Sequence, residues 1–180
     1  YDSSNSNTFT SNTITAPTDA IYLFSSSSSN NFTSNTANAS ANYSIRLESG
    51  ANNNNLFLNN SLRTGNAGTA VYVQSGSSNT LLQNNISGGV WIDNSGSNNS
   101  FNNSTTGNIY YFANGSGAWA ALDIRDEDWN NYADAGAARP INSTTAFGYW
   151  AGNGSDHFPY MVPRVFGNAS NISADISGSN

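Results

Sequence analysis

The chain has 180 residues, a net charge of −6 and no cysteine, a size that fits one domain, or one domain with an appendage. There is no lysine and the five arginines are scattered, which excludes a clustered phosphate-binding surface for nucleic acid; the lack of cysteine excludes disulfides, a thiolate nucleophile and a zinc knuckle. One His and one Met leave almost nothing for a transition-metal site, and no apolar run approaches the ~18–20 residues of a membrane span. Apolar content is thin, but only 9% of residues are charged, so the balance differs from that of a disordered chain. The bulk is neutral and polar, with 32 Asn, 29 Ser, 14 Thr and 16 Gly. Such a chain has to depend on backbone pairing and regular stacking. It opens at Tyr1 rather than Met, as a processed mature protein or an excised fragment would.

An apolar anchor returns along residues 1–114, at Phe9, Phe32, Phe57, Leu81 and Phe101, with spacings of 23, 25, 24 and 20 residues. A second burst follows each anchor: AIYLFS (20–25), YSIRLES (43–49), AVYVQS (70–75), GVWIDNS (89–95) and NIYYFAN (108–114). Both bursts have the period of two that marks strands. In the second, Ile21/Leu23, Ile45/Leu47, Val71/Val73 and Val90/Ile92 share one phase. The opposite phase carries Tyr22/Phe24, Arg46/Glu48, Tyr72/Gln74 and Trp91/Asp93, so its charged members put the aliphatic set inside. The pattern predicts an all-β solenoid of about five rungs, two short strands each.

Asparagine has two uses in such a fold. Corners need residues that tolerate positive φ, and stacked amides bond to one another along the axis. Asn12, Asn35, Asn60, Asn84 and Asn103 fall at or within one residue of the same place in each rung, as a ladder requires. The wording of AVYVQSGSSNTLLQNNISGG (70–89) resembles the right-handed parallel β-helix repeat of secreted surface proteins, the type also found in NosD-like repeat proteins of archaea and bacteria. The resemblance covers residues 4–114 and implies a right-handed parallel β-helix. It leaves activity open, because that repeat class serves polysaccharide lyases, glycosidases, adhesins, sheaths and surface layers.

Residues 115–167 break the rhythm and hold three of the four tryptophans. They read as an irregular, aromatic-rich cap or flap on the solenoid. Asp126–Asp128 and Ala133–Ala138 permit a short helix with acids in its first turn, and Pro140, Pro159 and Pro163 limit regular structure after it. Residues 168–180 revert to rung-like wording, with Ile172 and Ile176 among corner residues. Joined to the start of the chain they read as a continuous repeat, as expected of a slice from a longer protein or of a tail completing a neighbour's first rung.

Thirteen Asn-x-Ser/Thr sequons occur, at Asn31, Asn38, Asn42, Asn59, Asn85, Asn98, Asn102, Asn103, Asn114, Asn142, Asn153, Asn168 and Asn171, where composition alone gives about eight. Those in tight corners or inward positions cannot all carry sugar; Asn38, Asn114 and Asn153 sit in the most loop-like settings. Outward residues Tyr22, Arg46, Tyr72, Trp91 and Tyr110 or Tyr111 are expected to stack into a column, a contact surface for sugar rings, a second subunit or the flap. With Ile172 and Ile176 they form the candidate interface. Glu48 and Asp93, two rungs apart, are candidates for an inverting carboxylate pair. Asp123, Asp126 and Asp128 are calcium candidates whose spacing does not match an EF-hand loop. His157 could pair with Asp156 or a serine. No other cofactor is indicated.

These readings converge on an extracellular or cell-surface structural subunit, non-enzymatic, that self-assembles axially into a filament, sheath or surface layer and carries N-glycans. A carbohydrate-binding or carbohydrate-active β-helix, and an adhesin-like segment of a larger surface protein, are the alternatives.

Overall fold

The computed structural model describes residues 4–48 and 53–161. Its first turn holds β1 (Thr8–Thr10), β2 (Thr13–Ala16) and β3 (Asp19–Phe24). The second holds β4 (Asn31–Thr33), β5 (Thr36–Ala39) and β6 (Tyr43–Glu48), the third β7 (Leu56–Leu58), β8 (Ser61–Thr64) and β9 (Thr69–Val73). The fourth holds β10 (Thr80–Leu82), β11 (Asn85–Gly88) and β12 (Val90–Asn94). Equivalent strands stack into three parallel sheets, β1-β4-β7-β10, β2-β5-β8-β11 and β3-β6-β9-β12. The expected parallel β-solenoid is present, with a third strand in each turn and four complete turns below an interrupted fifth.

The third strand escaped the sequence pattern because the corner between the first two strands of each turn is only two residues, and it turns on a single left-handed one. Ser11, Ser34, Asn59 and Gln83 occupy it at φ of 57°, 59°, 56° and 58°. A second left-handed corner precedes the first strand, at Ser6, Ser29, Asn54, Ser78 and Asn98. An asparagine directly follows every one of these residues.

Those asparagines build two ladders. In one, the Nδ2 of Asn7, Asn30, Asn55 and Asn79 donates to the Oδ1 of Asn30, Asn55, Asn79 and Asn99 respectively, at 3.0–3.1 Å. In the other, Asn12, Asn35, Asn60 and Asn84 donate to Asn35, Asn60, Asn84 and Asn108 at 3.0–3.1 Å. The fifth member is thus Asn108, not Asn103, which lies exposed in a turn. Each Oδ1 also accepts the backbone N–H of the asparagine beneath it, as Asn60 does from Asn35 at 2.8 Å. The second Nδ2 hydrogen goes to a carbonyl of the preceding turn, as from Asn60 to Phe32 at 2.8 Å.

Between the ladders the inner wall is apolar. Phe9, Phe32, Phe57 and Leu81 are in register, and the first three rings stack at 4.7 and 4.9 Å. Ile21, Ile45, Val71 and Ile92 align on the third sheet. Val90 stands over Thr69, not over Val71, so the fourth turn is displaced by two residues from the expected phase.

A fifth turn forms around an insertion. Ser100 bridges to Thr80, and β13 (Ile109–Phe112) pairs with β11. Residues 113–149 then leave the stack, with β14 (Ile141–Asn142) among them, and the chain returns as β15 (Trp150–Gly152) on β12. Next, β16 (Ser155–Asp156) pairs antiparallel with β14. The returning strand fits because Gly152, at φ +77°, lies against the Asn94 carbonyl where a Cβ would collide. No helix forms at 126–138. The Asp126 carboxylate takes the N–H groups of Asn130 (3.2 Å) and Asn131 (2.7 Å), and such side-chain bonds compete with a helix. The rung-like tail, 168–180, lies outside the described residues.

Truncating Asn60 strands the buried N–H of Asn35 and the Phe32 carbonyl, each costing about 1–3 kcal/mol. Asn60→Ala is therefore expected to lose roughly 4 kcal/mol and lower the thermal midpoint by about 10 °C. Asn66→Ala, at an exposed turn residue, should stay within about 0.5 kcal/mol of the parent. Thermal unfolding followed by circular dichroism separates the two, and equal midpoints would refute the ladder's weight.

Candidate functional site

The outer face of the third sheet holds a linked cluster of charged and aromatic side chains. Strand alternation places Tyr22, Arg46 and Tyr72 in one column and Phe24 beside Glu48 in the next. The Arg46 guanidinium pairs with Asp19 at 3.0 Å and Glu48 at 2.6 Å, and lies 4.7 Å from the centre of the Tyr22 ring. The Tyr22 hydroxyl donates to Glu48 at 2.8 Å, and Tyr43 stacks on Tyr72 at 4.7 Å. The bonds from Arg46 and then Tyr22 hold the Glu48 carboxyl below its ordinary range. In return, Glu48 raises the pKa of both Arg46 and Tyr22. Asp93 continues the Arg46 column beyond Tyr72, so Glu48 and Asp93 stand in neighbouring columns. An inverting pair needs one protonated carboxyl; Glu48 is bound as an acceptor by two donors and is held ionised.

Trp91 does not belong to that column. It is fully buried within β12, its indole N–H donates to the Tyr111 carbonyl at 2.7 Å, and its ring stacks on Tyr149 at 4.8 Å. This cluster fastens the insertion to the solenoid. Tyr111 also leaves the expected column: it stands over Ser87 on the second sheet, edge-on to Trp119 at 5.3 Å. Ile172 and Ile176 lie outside the described residues, as do Asn168 and Asn171.

Asp156 ends the second ladder. Fully buried, it accepts the Asn108 backbone N–H at 2.7 Å, the Tyr110 hydroxyl at 2.9 Å and the Phe158 N–H at 3.0 Å. It occupies the place of the next turn's asparagine. Gly107 permits this, since a Cβ there would overlap the carboxylate. Burial lifts the Asp156 pKa to about 7, against the lowering effect of its donors; burial and the neighbouring Asp156 also raise that of Tyr110. His157 takes no part: it is exposed, and its carbonyl accepts from Arg139 at 2.6 Å. Nothing in the sequence signalled Asp156, which reaches Asn108 across 48 positions.

The opposite end has no such closure among the described residues. Asn7 and Asn12 are exposed, and with no turn of the described residues beneath them their Nδ2 groups bend back to Asn5 and Thr10 of their own turn. Phe9 is half-buried. Asn31 donates to Asn7 and Ser11 to Thr33. The alternation of a parallel strand therefore points the N–H groups of Thr8, Thr10, Thr13 and Thr15 away from the second turn.

In the insertion, carboxylate oxygens of Asp126, Asp128 and Asp134 lie within 4.8 Å of one another, the group among the described residues that could hold a hard cation. Asp123 stands apart, accepting the Ala137 N–H at 3.0 Å. The three clustered acids accept backbone N–H groups of their own loop, including Glu127 on Asp134 at 2.9 Å. Trp129, 88% exposed, forms a groove wall with Ile124 and Met161. No helix of the described residues is long and apolar enough to cross a membrane.

A family model described as the right handed beta helix region matches residues 1–118. Neither the comparison with curated proteins nor that with solved structures returned a match. This architecture supports enzymes and non-enzymes alike, and activity has to be read from the site.

Asp156 makes closure of the far end pH-dependent. Its folded-state pKa of about 7 exceeds the ordinary 3.8, so its contribution is fully present below about pH 4 and is lost as pH rises through 7, on the order of 4 kcal/mol in all. The thermal midpoint is expected to fall over this range. Asp156→Asn, which restores an amide to the ladder, should flatten that part of the profile; an unchanged slope would show that Asp156 is not its source.

Proposed function

Since the chain belongs to the right-handed β-helix family, we propose that it is a non-enzymatic structural subunit of an extracellular or cell-surface assembly, joined to its neighbours axially through the open face of its first turn. The observation that carries this reading is the asymmetry of the ladders, with outward acceptors at Asn7 and Asn12 and closure on Asp156 at the far end. An edge of this kind accepts a further strand. The far end is already closed, so the strand from a neighbouring copy comes from outside its stacked turns. Residues 168–180, with Ile172 and Ile176 at a spacing that shares one strand face, are the source we assign. Repeated head to tail, this joint gives a filament, sheath or surface layer. The binding of Glu48 by Arg46 and Tyr22 favours a structural role for that cluster over acid–base chemistry.

The half-exposed Tyr22, Tyr43 and Tyr72 beside Asp93 favour glycan contact as a second reading. It predicts retention on a polysaccharide column that Tyr72→Ala weakens; Trp91, being buried, is not the residue to test.

For assembly, sedimentation velocity over rising concentration is expected to show association by the parent chain. Thr10→Pro removes one outward N–H while keeping the bonds to the second turn, and should leave monomers with unchanged circular dichroism. Combined Ile172→Lys and Ile176→Lys should do the same. A parent chain that stays monomeric at high concentration would overturn the proposal.

A further inference from the structure

The asparagines divide into two populations by direction. Every ladder asparagine faces inward, so the residue two places on also faces inward and is apolar: Phe9, Phe32, Phe57, Leu81 and Phe101 in one ladder, Ile14, Ala37, Leu62, Ile86 and Tyr110 in the other. Ser or Thr is shut out there, and none of the ladder asparagines is a sequon. All thirteen sequons fall on the remaining asparagines, and none of the eleven in the described residues is buried. The strand period has sorted amides that hold the fold from amides that sugar can reach.

Local geometry narrows the choice further. Glycosyl transfer to the amide nitrogen needs a solvent-facing Nδ2 with no bond to break, and a sequon hydroxyl that a transferase can engage. The amides of Asn102 and Asn153 already donate, to Asn103 and Gly96. Asn42 is exposed, but its sequon hydroxyl on Ser44 is fully buried and donates to the Ala37 carbonyl at 2.7 Å. At two exposed turns the sequon hydroxyl also donates into the Oδ1 of its own asparagine. Asn114 Oδ1 accepts the Ser116 hydroxyl at 2.7 Å and the Ser116 N–H at 2.9 Å. Asn103 Oδ1 accepts from Thr105 Oγ1 at 3.3 Å and Thr105 N at 2.8 Å. Donation into Oδ1 draws the nitrogen lone pair into the amide and loosens an N–H, while Nδ2 points to solvent.

We propose that Asn103 and Asn114 are N-glycan attachment sites and that Asn42 remains unmodified. The donor is an oligosaccharide linked to a polyprenyl phosphate, and the catalyst is an oligosaccharyltransferase. The Nδ2–C1 bond forms, the C1–O bond to phosphate breaks with its electron pair leaving on the lipid phosphate, and the amide proton passes to a base of the transferase. Both sites lie at turns of the fifth-turn region, where a sugar displaces no strand. This inference is independent of the assembly joint at the other end.

Glycopeptide mass spectrometry of the full chain, isolated from its native producing cells, tests it. Peptides holding Asn103 and Asn114 are expected to carry glycan mass, and the peptide holding Asn42 none. Ser116→Ala should remove one glycan from the intact mass with the circular dichroism unchanged, and Ser116→Thr should retain it. Bare Asn103 and Asn114, or sugar on Asn42, would overturn the proposal.

Discussion

The amide-to-amide bond between consecutive turns is the interaction on which the rest of this structure depends. Each link joins a left-handed corner to an inward asparagine, and the two requirements select each other. The corner turns the chain by one residue, which leaves the next N–H and the next side chain directed at the neighbouring turn. Only an amide of this length offers an acceptor and two donors there. Serine lacks the second donor, glutamine carries an extra methylene, and aspartate can only accept. Aspartate therefore suits one place, the last position of a ladder, where nothing above requires a donor. Asp156 stands in that place.

This arrangement explains how so thin an apolar wall suffices. Within a turn the inward positions are few, but every inward residue is covered above and below by its counterpart, as Phe32 is by Phe9 and Phe57. Polar groups at the corners satisfy one another along the axis, so the interior tolerates fully buried Asn60 and Asn84 without loss. Outward positions are left without structural duty and can take any polar residue, which is where the serine and threonine accumulate. Solvent-facing sequons are a by-product of the same division of labour.

Period and direction were legible in the sequence; closure was not. The anchors at Phe9, Phe32, Phe57 and Leu81 and the aliphatic pairs of the first three turns align as their spacing implied. The third strand was hidden because a corner of two residues, one left-handed Ser, Asn or Gln and then Asn, carries no glycine or proline signal. Trp91 was misplaced because the corner before β12 shrinks to Gly89 alone, whereas the one before β9 spans Gly65–Gly68. That shortening shifts the pairing by two residues, and with Trp91 buried beside Ile92 it breaks both the alternation and the column. The first ladder escaped notice because its members precede the anchors instead of following them. Asp156 and Trp150 return after an insertion of irregular structure, and no local pattern indicates which turn they complete. Tyr22 and Glu48 belong to adjacent turns and different columns, and only the diagonal reach of tyrosine brings them together.

Because every amide in both ladders points the same way, the solenoid has an acceptor end and a donor end, and the two are not interchangeable. A pair of first turns set face to face would oppose oxygen to oxygen at Asn7 and at Asn12. Complementarity at that face therefore demands N–H groups at the two corner positions, delivered by a strand running parallel to β1 and β2. At the donor end a carboxylate already meets the demand, and its burial ties that closure to proton uptake. Sequence has thus written opposite chemistries at the two ends of one repeat. The polarity of any axial joint follows from the orientation of an amide group, before any property of the partner is considered.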